Sequence, residues 1–242
     1  MKLTDFKALT FDCYGTLIDW ETGITAALKP WASRHGVSAG TAELLARFAR
    51  FESEREAQRP AKPYPAVLAA VLRDIAGEFG IAATQEDAEA FARSVRDWPA
   101  FPDSREALHY LKRHYKLVIV SNVDRASFRH SNDKLGVAFD LVVTAEDAGS
   151  YKPGRAHFDR ALAGLAAMTV PKDKVLHTAQ ILYHDHVPAK KLGLATIWIN
   201  RQAGKAKAGP GATPPPPEAV SPDFVVPSMA AMVELHRAHL AA

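Results

Sequence analysis

A chain of 242 residues, 48% apolar and 24% charged, is long enough for one sizeable domain or for a core with a smaller insert. Its formal charge of +3 is dispersed over single and paired basic residues, which leaves no electrostatic footprint for nucleic acid. No stretch approaches the roughly 18 apolar residues of a membrane span, Cys13 has no partner for an internal disulfide, and the first residues lack an apolar signal region; together these set the expectation of a cytoplasmic protein with no membrane partner.

In chain order, the first short apolar run is Leu9-Thr10-Phe11, leading into Asp12. The strand rhythm then stops. From about residue 18 to residue 98 there are only amphipathic helical patterns, clearest over 42–57, where Leu44, Leu45, Phe48 and Phe51 form one stripe, and over 66–79. These helices are either extra layers on the core or a cap inserted after the first strand. The length of the excursion favours a helical cap subdomain over 18–98, with the core made of 1–17 and 99–242.

After the insert, apolar runs at 116–120, 141–144, 175–179, 196–200 and 224–226 are rich in Val, Ile and Leu and do not alternate with polar residues, the pattern of strands covered on both faces. Helical patterns at 104–114, 125–135, 153–165, 187–192 and 228–240 separate or follow them. The alternation predicts an α/β fold with a doubly wound, mainly parallel sheet. Between the last two runs, residues 208–218 hold five prolines and two glycines, an irregular surface loop or an interaction segment.

Polar clusters follow the first four core runs: Asp12-Cys13-Tyr14-Gly15-Thr16, Ser121-Asn122, Lys152-Pro153 and His184-Asp185-His186. In an open parallel sheet the carboxyl ends of the strands form one crevice, where these segments should meet. An isolated Asp after a strand is most often a helix cap, and an isolated Lys a solvated one. A nucleophile, amide and hydroxyl donors, a cation and a second carboxylate together make a reaction centre.

The motifs Phe-Asp-x-Tyr-Gly-Thr-Leu, Ser-Asn, Tyr-Lys-Pro and a late Asp-x-x-x-Ala-x-x-x-Gly resemble the four motifs of the haloacid dehalogenase (HAD) superfamily, in order and over nearly the whole chain. The first is similar to that of type II L-2-haloacid dehalogenases. Phosphatases of the superfamily carry a second aspartate two residues after the nucleophile as general acid; here that position is Tyr14, a phenol with an ordinary pKa of about 10. A halide leaves without a proton, so Tyr14 argues for carbon rather than phosphorus as the target.

The resemblance implies a hydrolase of the (S)-2-haloacid dehalogenase type. Asp12 would displace halide from a small 2-haloacid, and water would then hydrolyse the Asp12 ester. It implies that Thr16 orients Asp12, Lys152 keeps it ionised, Asp185 and Lys152 position the hydrolytic water, Ser121 binds the substrate carboxylate and Asn122 receives the halide, with Tyr14 beside the substrate. No cofactor is implied; Mg²⁺ belongs only to the alternative, a phosphatase using Asp12, the Tyr14 carbonyl and Asp185. Opening of another electrophilic small acid is a further alternative. A cap cation is also implied: among Arg47, Arg50 and Arg55 the family pattern favours Arg47, with an ion pair to Glu as its competing role. A homodimer through the inserted helices is left open.

The chain departs from the dehalogenase pattern before the late aspartate, in Gln180-Ile181-Leu182-Tyr183-His184-Asp185. Leu182 stands where an amide is expected beside the hydrolytic water, and Tyr183 is a candidate to replace part of that hydrogen bonding. His184 and His186 either shape the pocket or invite a metal.

Overall fold

The computed structural model describes residues 1–204 and 219–242, so the proline-rich stretch at 208–218 lies outside the described residues. Six strands, β1 (Ala8–Phe11), β2 (Lys116–Ser121), β3 (Leu141–Thr144), β4 (Val175–Ala179), β5 (Ala195–Ile199) and β6 (Phe224–Val226), form one sheet in the order β3-β2-β1-β4-β5-β6. Every pairing is parallel. The expected α/β class therefore holds. β1 lies between β2 and β4, where the order of the strands reverses, and its carboxyl end opens on the crevice that such a sheet offers a ligand.

Alternation along β2 explains why its run reads as uninterrupted. Val118 and Val120 pack in one buried cluster with Phe158, Ala161 and Leu165, while Leu117 and Ile119 point into the cluster on the opposite face. The core helices are α5 (Ser104–Leu111), α6 (Arg125–Leu135), the short α7 (Ala145–Ala148), α8 (Ala156–Ala167), the short α9 (Val187–Lys191) and α10 (Met229–Ala241). α8 begins at Ala156 rather than at the expected residue 153.

Four further helices lie between β1 and α5: α1 (Trp20–Arg34), α2 (Thr41–Glu56), α3 (Tyr64–Glu78) and α4 (Gln85–Arg93). Leu44 and Phe48 of α2, Leu68, Val71, Leu72 and Ile75 of α3 and Phe91 of α4 are buried among themselves, in a cluster continuous with one face of the sheet. The chain enters and leaves this helical layer as a paired stalk: Asp19 N donates to Pro99 O at 2.8 Å and Phe101 N to Leu17 O at 3.0 Å. That pairing supports our proposal to divide the chain at 18 and 98, with the four helices as the cap.

Candidate active site

The site is built on the loop that follows β1. Asp12 continues the ladder, its N–H donating to Thr178 O at 3.0 Å, and the chain then turns sharply, with Gly15 N donating to Ile18 O at 2.8 Å. Gly15 adopts φ +95°, and a Cβ there would sit 3.0 Å from both Gln180 Oε1 and Trp20 Nε1. The turn brings Thr16 back under Asp12: Thr16 Oγ1 donates to Asp12 Oδ2 at 2.7 Å and accepts from Gln180 N–H at 2.9 Å. A hydroxyl with one acceptor and one donor fixed in this way holds the carboxylate in one orientation.

The other Asp12 oxygen meets Lys152. Its Nζ donates to Asp12 Oδ1 at 2.9 Å, to Asp185 Oδ1 at 2.7 Å and to Val120 O at 2.9 Å. An ammonium has three N–H donors, and all three are committed. Burial works against the charge on Lys152, but Asp12 and Asp185 outweigh it and hold its pKa above the usual lysine range. Burial also lifts Asp12, with Lys152 and Thr16 pulling the other way; for Asp185 the same burial is overcome by Lys152 and by His177, which hold it well below the usual carboxylate range. Asp12 is thus the more basic of the two carboxylates.

Asp185 is placed by a π-helical turn, Leu182–His186, that runs into α9. His177 Nε2 lies 3.1 Å from Asp185 Oδ1, and its Nδ1 lies 2.9 Å from Thr10 Oγ1. A carboxylate only accepts, so His177 donates through Nε2 and, in its neutral form, takes the Thr10 hydroxyl at Nδ1. Asp185 Oδ2 is buried with no hydrogen-bond partner among the described residues. His177 escaped the sequence reading because a histidine inside the run 175–179 carries no pattern of its own.

The remaining expected site residues fall in several places. Tyr14 lines the cavity above Asp12, but its hydroxyl pairs with Ser131 Oγ of α6 at 2.8 Å, and burial raises its pKa well above the usual phenol value. Ser121 ends β2 fully buried and does not line the cavity. Asn122 lines it, yet its amide is in use: Oδ1 accepts from Lys152 N–H at 2.7 Å, and Nδ2 donates to Glu56 Oε2 at 3.1 Å and to Lys152 O at 3.4 Å. Of 181–184, Ile181 and His184 line the cavity, while Leu182 and Tyr183 do not. His184 is held down at about 4 by burial, and so is His186, whose Nε2 lies 3.0 Å from Ala179 O in the core. The two histidines therefore serve different surroundings, and among the described residues no group of three or more His, Cys, Asp or Glu is placed to hold a metal.

Arg47 stands away from the cavity. It pairs with Glu43 at 3.0 Å and with Glu78 at 3.2 Å and lies 4.7 Å over the Phe79 ring. The stripe of Leu44 and Phe48 faces the interior of the cap, and the face of α2 turned to the cavity is Ala49, Glu52, Ser53 and Glu56. At roughly 100° per residue that face is on the opposite side of the helix from Arg47. Arg50 pairs with Glu78 and Arg55 with Asp74, so neither supplies the expected cation. In their place α2 presents two carboxyl groups, with Trp20, Tyr64 and Trp98 completing an aromatic wall around a cavity of about 50 Å³.

Comparison with known proteins agrees with this architecture. The structure of a defluorinating L-2-haloacid dehalogenase superposes with a TM-score of 0.79 at 21% identity, covering 96% of this chain and 95% of that one. L-2-haloacid dehalogenase from Xanthobacter autotrophicus gives 0.79 at 20% identity, covering 96% and 98%. A putative HAD-hydrolase from Bacillus subtilis bound to magnesium gives 0.76 at 15% identity, covering 96% and 99%. Among curated proteins no sequence matches. No helix among the described residues is long and apolar enough to cross a membrane. The family profile described as haloacid dehalogenase-like hydrolase matches residues 6–177, and on that match and this shared fold the chain belongs to the haloacid dehalogenase-like hydrolases.

Proposed function

We propose that the chain hydrolyses a small molecule at an electrophilic carbon through an ester on Asp12, with carbon–halogen cleavage as the leading reaction and small 2-haloacids as the substrates that the family resemblance implies. The observation that carries this reading is the clamp on Asp12, one oxygen on Thr16 and the other on Lys152, with no carboxylic acid at position 14 to protonate an oxygen leaving group.

In the first step an Asp12 oxygen forms a bond to carbon as the halide departs with the bonding pair. Lys152 and Thr16 lose part of their hold as charge leaves Asp12. In the second step water adds to the Asp12 carbonyl carbon, the oxygen that becomes negative is stabilised by Lys152, and collapse releases the alcohol and regenerates the carboxylate. The net change is one water consumed, with one halide and one proton released. Asp185 Oδ2, buried and without a partner among the described residues, is an acceptor able to orient the water.

The magnesium-dependent phosphatase alternative fits these residues less well. Position 14 offers a phenol bonded to Ser131, not a carboxylic acid able to protonate an oxygen leaving group. Single turnover in H₂¹⁸O followed by mass spectrometry tests the ester: label is expected in the Asp12 carboxylate, and its absence refutes the double displacement. Halide release across a panel of small haloalkyl compounds, with L-2-chloropropanoate and a haloacetate as its anionic members and unaffected by EDTA, is the companion assay.

A further inference from the structure

Two groups in the cavity have no part in the chemistry above. Glu52 and Glu56 sit one turn apart on α2, and both line the cavity. Each has one oxygen engaged: Glu52 Oε1 accepts from the Tyr64 hydroxyl at 2.6 Å, and Glu56 Oε2 accepts from Asn122 at 3.1 Å. With Asp12 and Asp185, four carboxyl groups surround one small volume.

Among the side chains that line the cavity, an anionic substrate has little to hold it. Lys152 is the cation of the lining, and its three donors are spent on Asp12, Asp185 and Val120 O. His184 is neutral near pH 7, because burial holds it at about 4. Asn122 has both sides of its amide in use, and Arg47, Arg50 and Arg55 form ion pairs elsewhere on the cap. Burial lifts Glu52 to about 7; burial and then the charge of Glu52 lift Glu56 well above its usual range. That upward pressure comes first from the loss of water around the two carboxyl groups, with the charge of Glu52 adding to it at Glu56. Protonation relieves it, and so would a bound cation. The rings of Tyr14, Trp20, Tyr64 and Trp98 line the same space, and aromatic faces attract cations.

We propose that α2 selects a small organic cation: the substrate carries an ammonium group, held by Glu52 and Glu56 within the aromatic wall, and presents its electrophilic carbon to Asp12. This rests on the Asp12 ester reading for the chemistry but concerns recognition alone. Propylammonium, propanoate and propanamide have no leaving group, so their binding reports recognition without turnover. Titrated against the full chain at a pH above the Glu52 value of about 7, with tryptophan fluorescence and calorimetry as readouts, propylammonium should bind at least about tenfold more tightly than propanoate. The double variant Glu52→Gln/Glu56→Gln, which keeps an oxygen for Tyr64 and for Asn122, should lose most of that preference. Equal binding, tighter binding of propanoate or propanamide, or no binding of propylammonium would overturn the proposal. If a variant fails to fold, the ranking in the unmodified chain decides. The ¹⁸O label on Asp12 is read separately, so the ester and the cation site can fail independently.

Discussion

Replacing Glu52 by Gln should stabilise the protein, and by an amount that grows with pH. Glu52 lines the cavity, accepts a hydrogen bond from Tyr64 at 2.6 Å and is lifted by burial from 4.5 to about 7. The folded state therefore binds its proton more tightly than the unfolded chain, and stability falls as pH rises from the unfolded value through the folded one. At about 1.4 kcal/mol per pH unit the full loss is about 3 kcal/mol, absent below about pH 4 and complete above about pH 7. A glutamine keeps the acceptor for Tyr64 and never ionises, so it avoids that loss. It also removes a charge that raises Glu56. Denaturant unfolding of both proteins from pH 4 to pH 8 gives the difference directly. Burial lowers His157, His184 and His186, which favours folding as pH rises, but they are present in both proteins and cancel in the difference. A difference that does not change with pH, or a variant less stable at pH 8, would refute the argument.

Four other substitutions separate chemistry from architecture. Asp12→Asn should lower turnover by more than about a thousandfold with the fold intact by circular dichroism. Lys152→Met leaves Asp12 and Asp185 without their shared ammonium, and should cost about 3–5 kcal/mol in unfolding free energy as well as activity. Arg47→Ala removes two partly exposed ion pairs on the cap; turnover should be unchanged and stability should fall by less than about 1 kcal/mol. His177→Phe takes a donor from Asp185, and the effect should be on the second step, seen as a longer-lived Asp12 ester in rapid-quench mass spectrometry.

Much of the frame was legible in the residues. A parallel strand covered on both faces reads as an unbroken apolar run, so each strand of the sheet could be located, and the polar residues at the strand ends marked the crevice. Asp12, Thr16, Lys152 and Asp185 do meet there. The direction of α2 was not legible. Hydrophobic periodicity identifies the face a helix buries, and for α2 that face belongs to the interior of the cap, with Leu44 and Phe48. Glu52 and Glu56, four apart among arginines, read like an ordinary solvated helix face until the fold turns them onto the cavity of Asp12. Asn122 was expected to meet the substrate, but a sequence does not tell whether an amide is free for a ligand or already satisfied by Lys152 and Glu56.

The saturation of Lys152 has a consequence for how such a protein can change. A lysine with no donor to spare contributes the same counter-charge whatever enters the cavity, so the reacting unit at the strand ends is insulated from the identity of its guest. On the proposal made above, preference is written elsewhere, on the turns of α2 that carry residues 49, 52, 53 and 56. Substitutions at those few positions would then redirect the protein to new compounds while Asp12, Thr16, Lys152 and Asp185 keep their arrangement. Inheritance of the reaction and drift of the substrate are then compatible within one fold.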